Sequence, residues 1–204
     1  MNQQEGYLPK EQRKNVLLIC DDIRFSTGVG FMGRTIVLGS AHRFNWTIIG
    51  GGVAGQFLAL MLKRNNIPYQ LYERTNLPAP GGLGFLLVEN GLEALRLMGL
   101  KNQILKKSNT LNFFKAIDTK GNLIYKRILE ECVAISRETF FKVIGEELDT
   151  SHHHHGVAVS SVVKNADGTT KGILLEDGTI QQSDVYFAVD GIHSAVRQQL
   201  FPDN

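Results

Sequence analysis

The chain has 204 residues, 43% of them hydrophobic, and its 22 basic and 20 acidic side chains leave a formal net charge of +2. That length builds one good-sized core, or one domain with an appendage, and the near-balanced charge excludes the clustered basic excess that nucleic acid or an anionic membrane requires. The apolar runs are too short to span a bilayer and the N-terminus lacks the apolar core of a signal peptide, so a cytoplasmic protein without a membrane span is expected.

Residues 1–14 are polar, and "NVLLIC" (Asn15 to Cys20) reads as a buried strand ending at Asp21 and Asp22. Gly28, Gly30 and Gly33 match the spacing of a dinucleotide fingerprint, but no strand directly precedes them, "RTIVLGS" has strand composition, and no acid occurs between Asp22 and Glu73. They are expected to be a glycine-rich connection. From Trp46 the pattern sharpens: "WTIIG" is a strand, "VAGQFLALMLKRNN" carries helical apolar spacing, and "IPYQLYE" alternates as a second strand. A glycine-rich turn, "PAPGGLGF", and a helix, "VENGLEALRLMGL", come next. Two strand-like runs then turn at Lys120-Gly121-Asn122, and a helix begins near Arg137. The histidine run His152 to His155 reads as a surface turn before a strand at Val157, without the spacing or supporting acids of a metal site. A strand closed at Asp167-Gly168, a hairpin at Asp177-Gly178 and the segment "DVYFAVDGIHSAVRQQL" complete the chain. Cys20 and Cys132 lie in apolar stretches and are expected to be buried thiols, and His42 and His193 structural histidines.

Gly50-x-Gly52-x-x-Gly55 follows a strand and opens a helix, where glycines allow a tight turn, close approach of a pyrophosphate and close helix–strand packing. The helix N-terminus faces that anion with unpaired N–H groups and the positive end of its dipole. Glu73 ends the second strand at about the 20-residue separation from which a carboxylate accepts hydrogen bonds from a ribose diol. A carboxylate there repels a 2′-phosphate, which favours FAD or NAD over NADP.

The fingerprint through "YER" (Tyr72 to Arg74), the "ISRETF" segment (Ile135 to Phe140) and "DGIHSAVR" (Asp190 to Arg197), in that order, resemble the class A FAD-dependent monooxygenases, the aromatic-ring hydroxylases and their relatives. The likeness runs from about Trp46 to Phe201. It implies an α/β, three-layer FAD-binding domain of the Rossmann-type, glutathione-reductase-like class over residues 46–204, preceded by an N-terminal extension, 1–45, without a family counterpart. By that resemblance Gly50, Gly52, Val53, Ala54 and Gly55 wrap the FAD pyrophosphate and Glu73 holds the adenosine ribose with Arg74 beside it. Arg137 matches an arginine that reaches the flavin cofactor, and Asp190 the aspartate implicated in FAD and nicotinamide nucleotide binding. The activity implied is hydroxylation or epoxidation of a small organic substrate with O₂, with NADH or NADPH as transient reductant. No residue stands out as a catalytic acid, base or nucleophile. The family's second FAD segment, with an aspartate at the ribityl chain, would lie beyond Asn204. A non-catalytic FAD-binding fragment needing a complementing C-terminal chain is therefore the first alternative reading, and an NAD-dependent Rossmann reductase the second.

Overall fold

The structure, a computed structural model, describes residues 16–19, 44–76 and 84–202. Strand β1 (Val16–Ile19) is followed by β2 (Trp46–Ile49), helix α1 (Val53–Arg64) and β3 (Tyr69–Glu73), the βαβ unit expected from the fingerprint. All four residues of β2 are buried, the pattern of a central parallel strand covered on both faces. After β4 (Gly84–Val88) come α2 (Glu89–Leu97) and α3 (Lys101–Lys106). The helix read over "VENGLEALRLMGL" is α2, ended by Gly99 at φ +61°, and α3 is a further short helix lying past that stretch. The run begins one strand earlier than read, because Gly84 and Phe85, assigned to a turn, pair antiparallel with Ser136 and Ile135.

Strands β5 (Asn109–Thr110), β6 (Phe113–Ile117), β7 (Leu123–Ile128) and β8 (Cys132–Ser136) precede α4 (Arg137–Glu147). The β6–β7 hairpin turns where expected, with Gly121 at φ +86° and the Asp118 carboxylate accepting from the backbone N–H groups of Lys120 and Asn122. Helix α4 starts at the expected arginine because Ser136 caps it, its Oγ accepting from the Thr139 N–H at 3.1 Å. The histidines expected to form a surface turn instead make β9 (His153–His155), a parallel strand beside β3. The chain closes with β10 (Val159–Lys164), β11 (Thr170–Leu175), β12 (Ile180–Gln181), β13 (Val185–Ala188) and α5 (Ala195–Leu200).

The main sheet has five parallel strands in the order β1-β13-β2-β3-β9. Its β1 comes from the N-terminal extension; Val16 to Ile19 pair in register with Val185 to Ala188. One face packs Trp46, Ile48, Tyr69 and Leu71 against Leu58, Ala59 and Leu62 of α1. The other packs Ile49, Tyr72, Tyr186 and Ala188 against Val162, Ile173 and Leu175 of the antiparallel β10-β11-β12 sheet. A further core joins Phe57 and Leu60 on the outer side of α1 to α2, α4 and β8. These are the three layers of the expected α/β domain: helices, parallel sheet and meander. Cys132 is buried in the core, as expected; Cys20, His42 and the glycine match at Gly28, Gly30 and Gly33 lie outside the described residues.

Candidate functional site

In a parallel sheet with crossover helices the crevice for a ligand lies beyond the carboxyl ends of the strands, where the chain leaves β2 for α1. Here that end brings together the glycine loop after β2, Glu73 at the end of β3 and Asp190 just after β13. Gly50 sits at φ +105°, and its N–H donates to the Tyr72 carbonyl at 2.8 Å. A Cβ on Gly50 would lie 2.6 Å from the Val189 carbonyl and 2.8 Å from the Asp190 Cα, so only glycine lets the loop cross the end of β13. A Cβ on Gly55 would lie 1.8 Å from the Gly50 carbonyl. Gly52 is the opposite case: its φ of −66° suits any residue, and among the described residues a Cβ there meets nothing within 4 Å. It is the N-cap of α1 and offers no side-chain cap, which leaves Val53, Ala54 and Gly55 in an uncapped first turn facing that open space.

Glu73 binds the loop to the second strand. Its Oε2 accepts the Gly51 N–H at 2.6 Å, and its Oε1 accepts the N–H and hydroxyl of Thr75 at 2.8 and 2.7 Å. Burial opposes ionisation, but the hydrogen bonds from Thr75 and Gly51, with the positive charge of Arg74, outweigh it and hold the carboxyl below the usual carboxylate range. Three of its roughly four acceptor positions are thereby filled by protein.

The Asp190 carboxylate serves its own turn. Its Oδ2 accepts the Ala195 N–H at 3.0 Å, while Ser194 is the N-cap of α5, accepting from the Arg197 N–H. Its Oδ1 is buried with no partner among the described residues, and the Asp190 Cα lies 2.8 Å from where a Cβ on Gly50 would stand. Arg137 stands apart from this group. It is exposed at the start of α4, with its guanidinium 5.1 Å from the Phe141 ring and 6.0 Å from the Phe85 ring. His193, expected to be structural, is exposed.

Two residues that sequence reasoning passed over also belong to the site. Gly51 is one: a Cβ there would come within 2.9 Å of the Glu73 Cβ. Gln56 is the other, buried beneath the loop with its Nε2 donating to the Gly51 carbonyl at 3.2 Å. The available signal was a lone amide within an otherwise apolar helical stripe.

Among the described residues no His, Cys, Asp or Glu group is arranged to hold a metal ion, and no helix is long and apolar enough to cross a membrane. His153 hydrogen-bonds the Tyr69 hydroxyl at 2.9 Å, and His154 stacks on Tyr72.

No protein-family model matches the chain. It is 29% identical over 177 residues to a 3-amino-4-hydroxybenzoate 2-monooxygenase of Streptomyces platensis, covering 80% of this chain and 43% of that protein. A flavin-dependent monooxygenase of Legionella longbeachae is 26% identical over 164 residues, with coverages of 77% and 42%. In fold the chain is similar to 2-methyl-3-hydroxypyridine-5-carboxylic acid oxygenase, with a TM-score of 0.66 and 21% identity over 80% of this chain and 43% of that one. It is likewise similar to Klebsiella pneumoniae HpxO complexed with FAD, with a TM-score of 0.63 and 21% identity over 76% and 42%. The chain is similar to FAD-dependent monooxygenases, the class its three segments resemble. More particularly, it spans about two-fifths of the length of these relatives.

Proposed function

We propose that residues 46–204 form the FAD-binding unit of an NAD(P)H-dependent flavin monooxygenase acting on a small organic substrate. The observation that carries this reading is the Gly51–Glu73 hydrogen bond beside the uncapped start of α1 and the open space over Gly52. A pyrophosphate requires that open space, and a ribose diol requires that carboxylate. The N–H groups at Gly52, Val53, Ala54 and Gly55 bind and orient the pyrophosphate, with Gly50 closing the turn behind them. Glu73 orients the ribose through its remaining acceptor position and by exchanging Thr75 for a ribose hydroxyl. Arg74 adds positive charge at that end, Asp190 adjoins the loop from the end of β13, and Arg137 reaches the flavin from α4. Bound there, FAD supplies electron transfer from NADH or NADPH to O₂ and the delivery of oxygen to the substrate. The homologues favour this reading over an NAD-dependent reductase.

The test is titration of the purified chain with FAD, ADP and NAD, followed by flavin fluorescence and calorimetry, together with its absorption spectrum. FAD and ADP are expected to bind at one shared site. Failure of both to bind, or a preference for NAD over FAD, refutes the proposal.

A second reading rests on the β6–β7 hairpin, which exposes Phe113, Phe114, Ile117, Leu123, Ile124 and Ile128. In monomeric proteins large apolar patches mark interaction surfaces. On this reading a partner polypeptide with a complementary apolar face covers the hairpin. Co-expression with the matching portion of a relative is expected to yield a stable complex, and replacing Phe114 and Ile124 by serine to abolish it. A complex unaffected by those changes places the contact elsewhere.

A further inference from the structure

Gln56 is 6% exposed, within the first turns of α1, and its amide is committed to the glycine loop. The side-chain Nε2 donates to the Gly51 carbonyl at 3.2 Å, and its backbone N–H donates to the Gly52 carbonyl at 3.0 Å. The second is the helix's own first bond, while the first, specific to the glutamine side chain, draws the Gly51 carbonyl inward. From the other side Glu73 takes the Gly51 N–H at 2.6 Å. The peptide between Gly51 and Gly52 is planar and trans, so its N–H points opposite to its C=O. With the Gly51 carbonyl held against the buried amide, the Gly52 N–H turns away from Gln56, out of the loop.

Stability alone does not account for this amide. Its Oε1 is buried and has no hydrogen-bond partner among the described residues. An unsatisfied buried acceptor costs folding free energy that leucine or methionine, fitting the same apolar surroundings, would not incur. The neighbouring Phe57, Leu58 and Leu60 show what the helix otherwise places at buried positions.

We infer that Gln56 is a positioning residue for the cofactor's pyrophosphate: it fixes the Gly51–Gly52 peptide so that the Gly52 N–H is aimed before the ligand arrives. The inference rests on the nucleotide reading of the loop and adds a residue to it. Gln56 touches the loop and not the ligand, so its removal should loosen the aim of one N–H and leave the rest of the pocket in place. The predicted loss is that of one hydrogen bond, about three- to tenfold in affinity.

The experiment compares the parent chain, Q56L and Q56E by calorimetric titration with ADP and with adenosine, alongside thermal melts of the ligand-free proteins. For Q56L, ADP affinity is expected to fall about three- to tenfold, while adenosine affinity and the ligand-free melting temperature hold or the latter rises. The adenosine arm separates positioning from a structural role, because a damaged domain weakens both ligands. Q56E keeps the shape but, when ionised, cannot donate to the Gly51 carbonyl. Its ADP affinity relative to the parent is expected to be low at pH 8 and to recover towards pH 5.5 as the buried carboxyl gains a proton to donate. Equal ADP affinities in the parent and Q56L, a matching loss for adenosine, or a pH-independent Q56E deficit overturns the inference while leaving the nucleotide site standing. A parent chain that binds neither ADP nor FAD sinks the nucleotide reading itself, and this inference with it.

Discussion

Gly52 and Gly55 are both glycines of one fingerprint, yet the structure predicts opposite consequences for replacing them. A Cβ on Gly55 falls 1.8 Å from the Gly50 carbonyl, a contact only backbone movement can relieve. Overpacking of that kind costs about 2–3 kcal/mol. In a chain of this size it lowers the melting temperature by roughly 5–10 °C, so Gly55→Ala should damage the fold and binding together. At Gly52 the backbone is extended, φ −66° and ψ −170°, and among the described residues nothing lies within 4 Å of an added Cβ. Gly52→Val should therefore cost no more than about 1 kcal/mol, the difference between a glycine and a branched N-cap. Its branched side chain would fill the space assigned to the pyrophosphate, and FAD and ADP affinities should fall at least about tenfold, or 1.4 kcal/mol. Thermal melts of the ligand-free variants, paired with titrations of both ligands, make the comparison. Should Gly52→Val bind FAD as the parent does, the pyrophosphate does not lie over Gly52; should it melt as low as Gly55→Ala, the spatial argument fails.

Further expectations concern the rest of the site and the sheet edges. Glu73→Ala should weaken FAD binding by about 1.5–3 kcal/mol, the worth of a charged hydrogen bond, and Glu73→Arg should not restore it; calorimetry showing Glu73→Ala equal to the parent would mean the ribose lies elsewhere. Burial, together with the neighbouring His155, holds the His153 imidazole down at about 4. Below its ordinary value near 6.5 the unfolded chain binds the proton and the folded one does not, so stability should fall as pH drops from about 6.5 to 4; His153→Gln should flatten that part of the melting-temperature profile, and an unchanged slope would assign it to other groups. Deleting residues 1–20 should leave ADP affinity unchanged, since the loop and Glu73 sit on β2, α1 and β3, but should increase aggregation on size-exclusion chromatography by baring the β13 edge. Loss of ADP binding in that deletion would show that β1 holds the site together.

The βαβ unit was legible because each of its signals has a local cause: the apolar strand, the glycines, the 3–4 spacing and the acid all act within residues 46–73. The hairpins at Gly121 and Gly178 were legible for the same reason, since both glycines adopt the positive φ that their turns require. What escaped was decided by distant partners. Four histidines carry no strand pattern, yet three form β9 because an edge strand needs only its backbone ladder. Leu71, Tyr72 and Glu73 supply that ladder 82 residues earlier in the chain. Gly84 reads as part of a turn until Ser136 is placed opposite it, and there a Cβ would lie 2.6 Å from the Ile135 carbonyl. The extra strand beside β13 was legible as a strand at "NVLLIC" but not as a member of this sheet, because nothing in four apolar residues names the partner.

On the proposed nucleotide reading, Glu73 would set the cofactor preference before a ligand binds. Its carboxyl is held below the ordinary carboxylate range by Thr75, Gly51 and Arg74 against the opposing effect of burial. It is therefore ionised throughout the neutral range, and its contribution to stability is present above the ordinary carboxylate range and lost only as pH falls through the depressed value. A negative charge already fixed 2.6 Å from the Gly51 N–H is oriented, so accepting a ribose hydroxyl requires little rearrangement. The same fixed charge penalises a 2′-phosphate, which would bring a second anion to a half-buried carboxylate. Exchanging the acid for a neutral amide tests this directly. Glu73→Gln should lower FAD affinity while narrowing the gap between ADP and 2′-phospho-ADP-ribose, because the repulsion disappears along with the charged acceptor. Competition titrations with the two nucleotides read that gap, and a gap left unchanged in Glu73→Gln would show that the discrimination does not come from the charge at the end of β3.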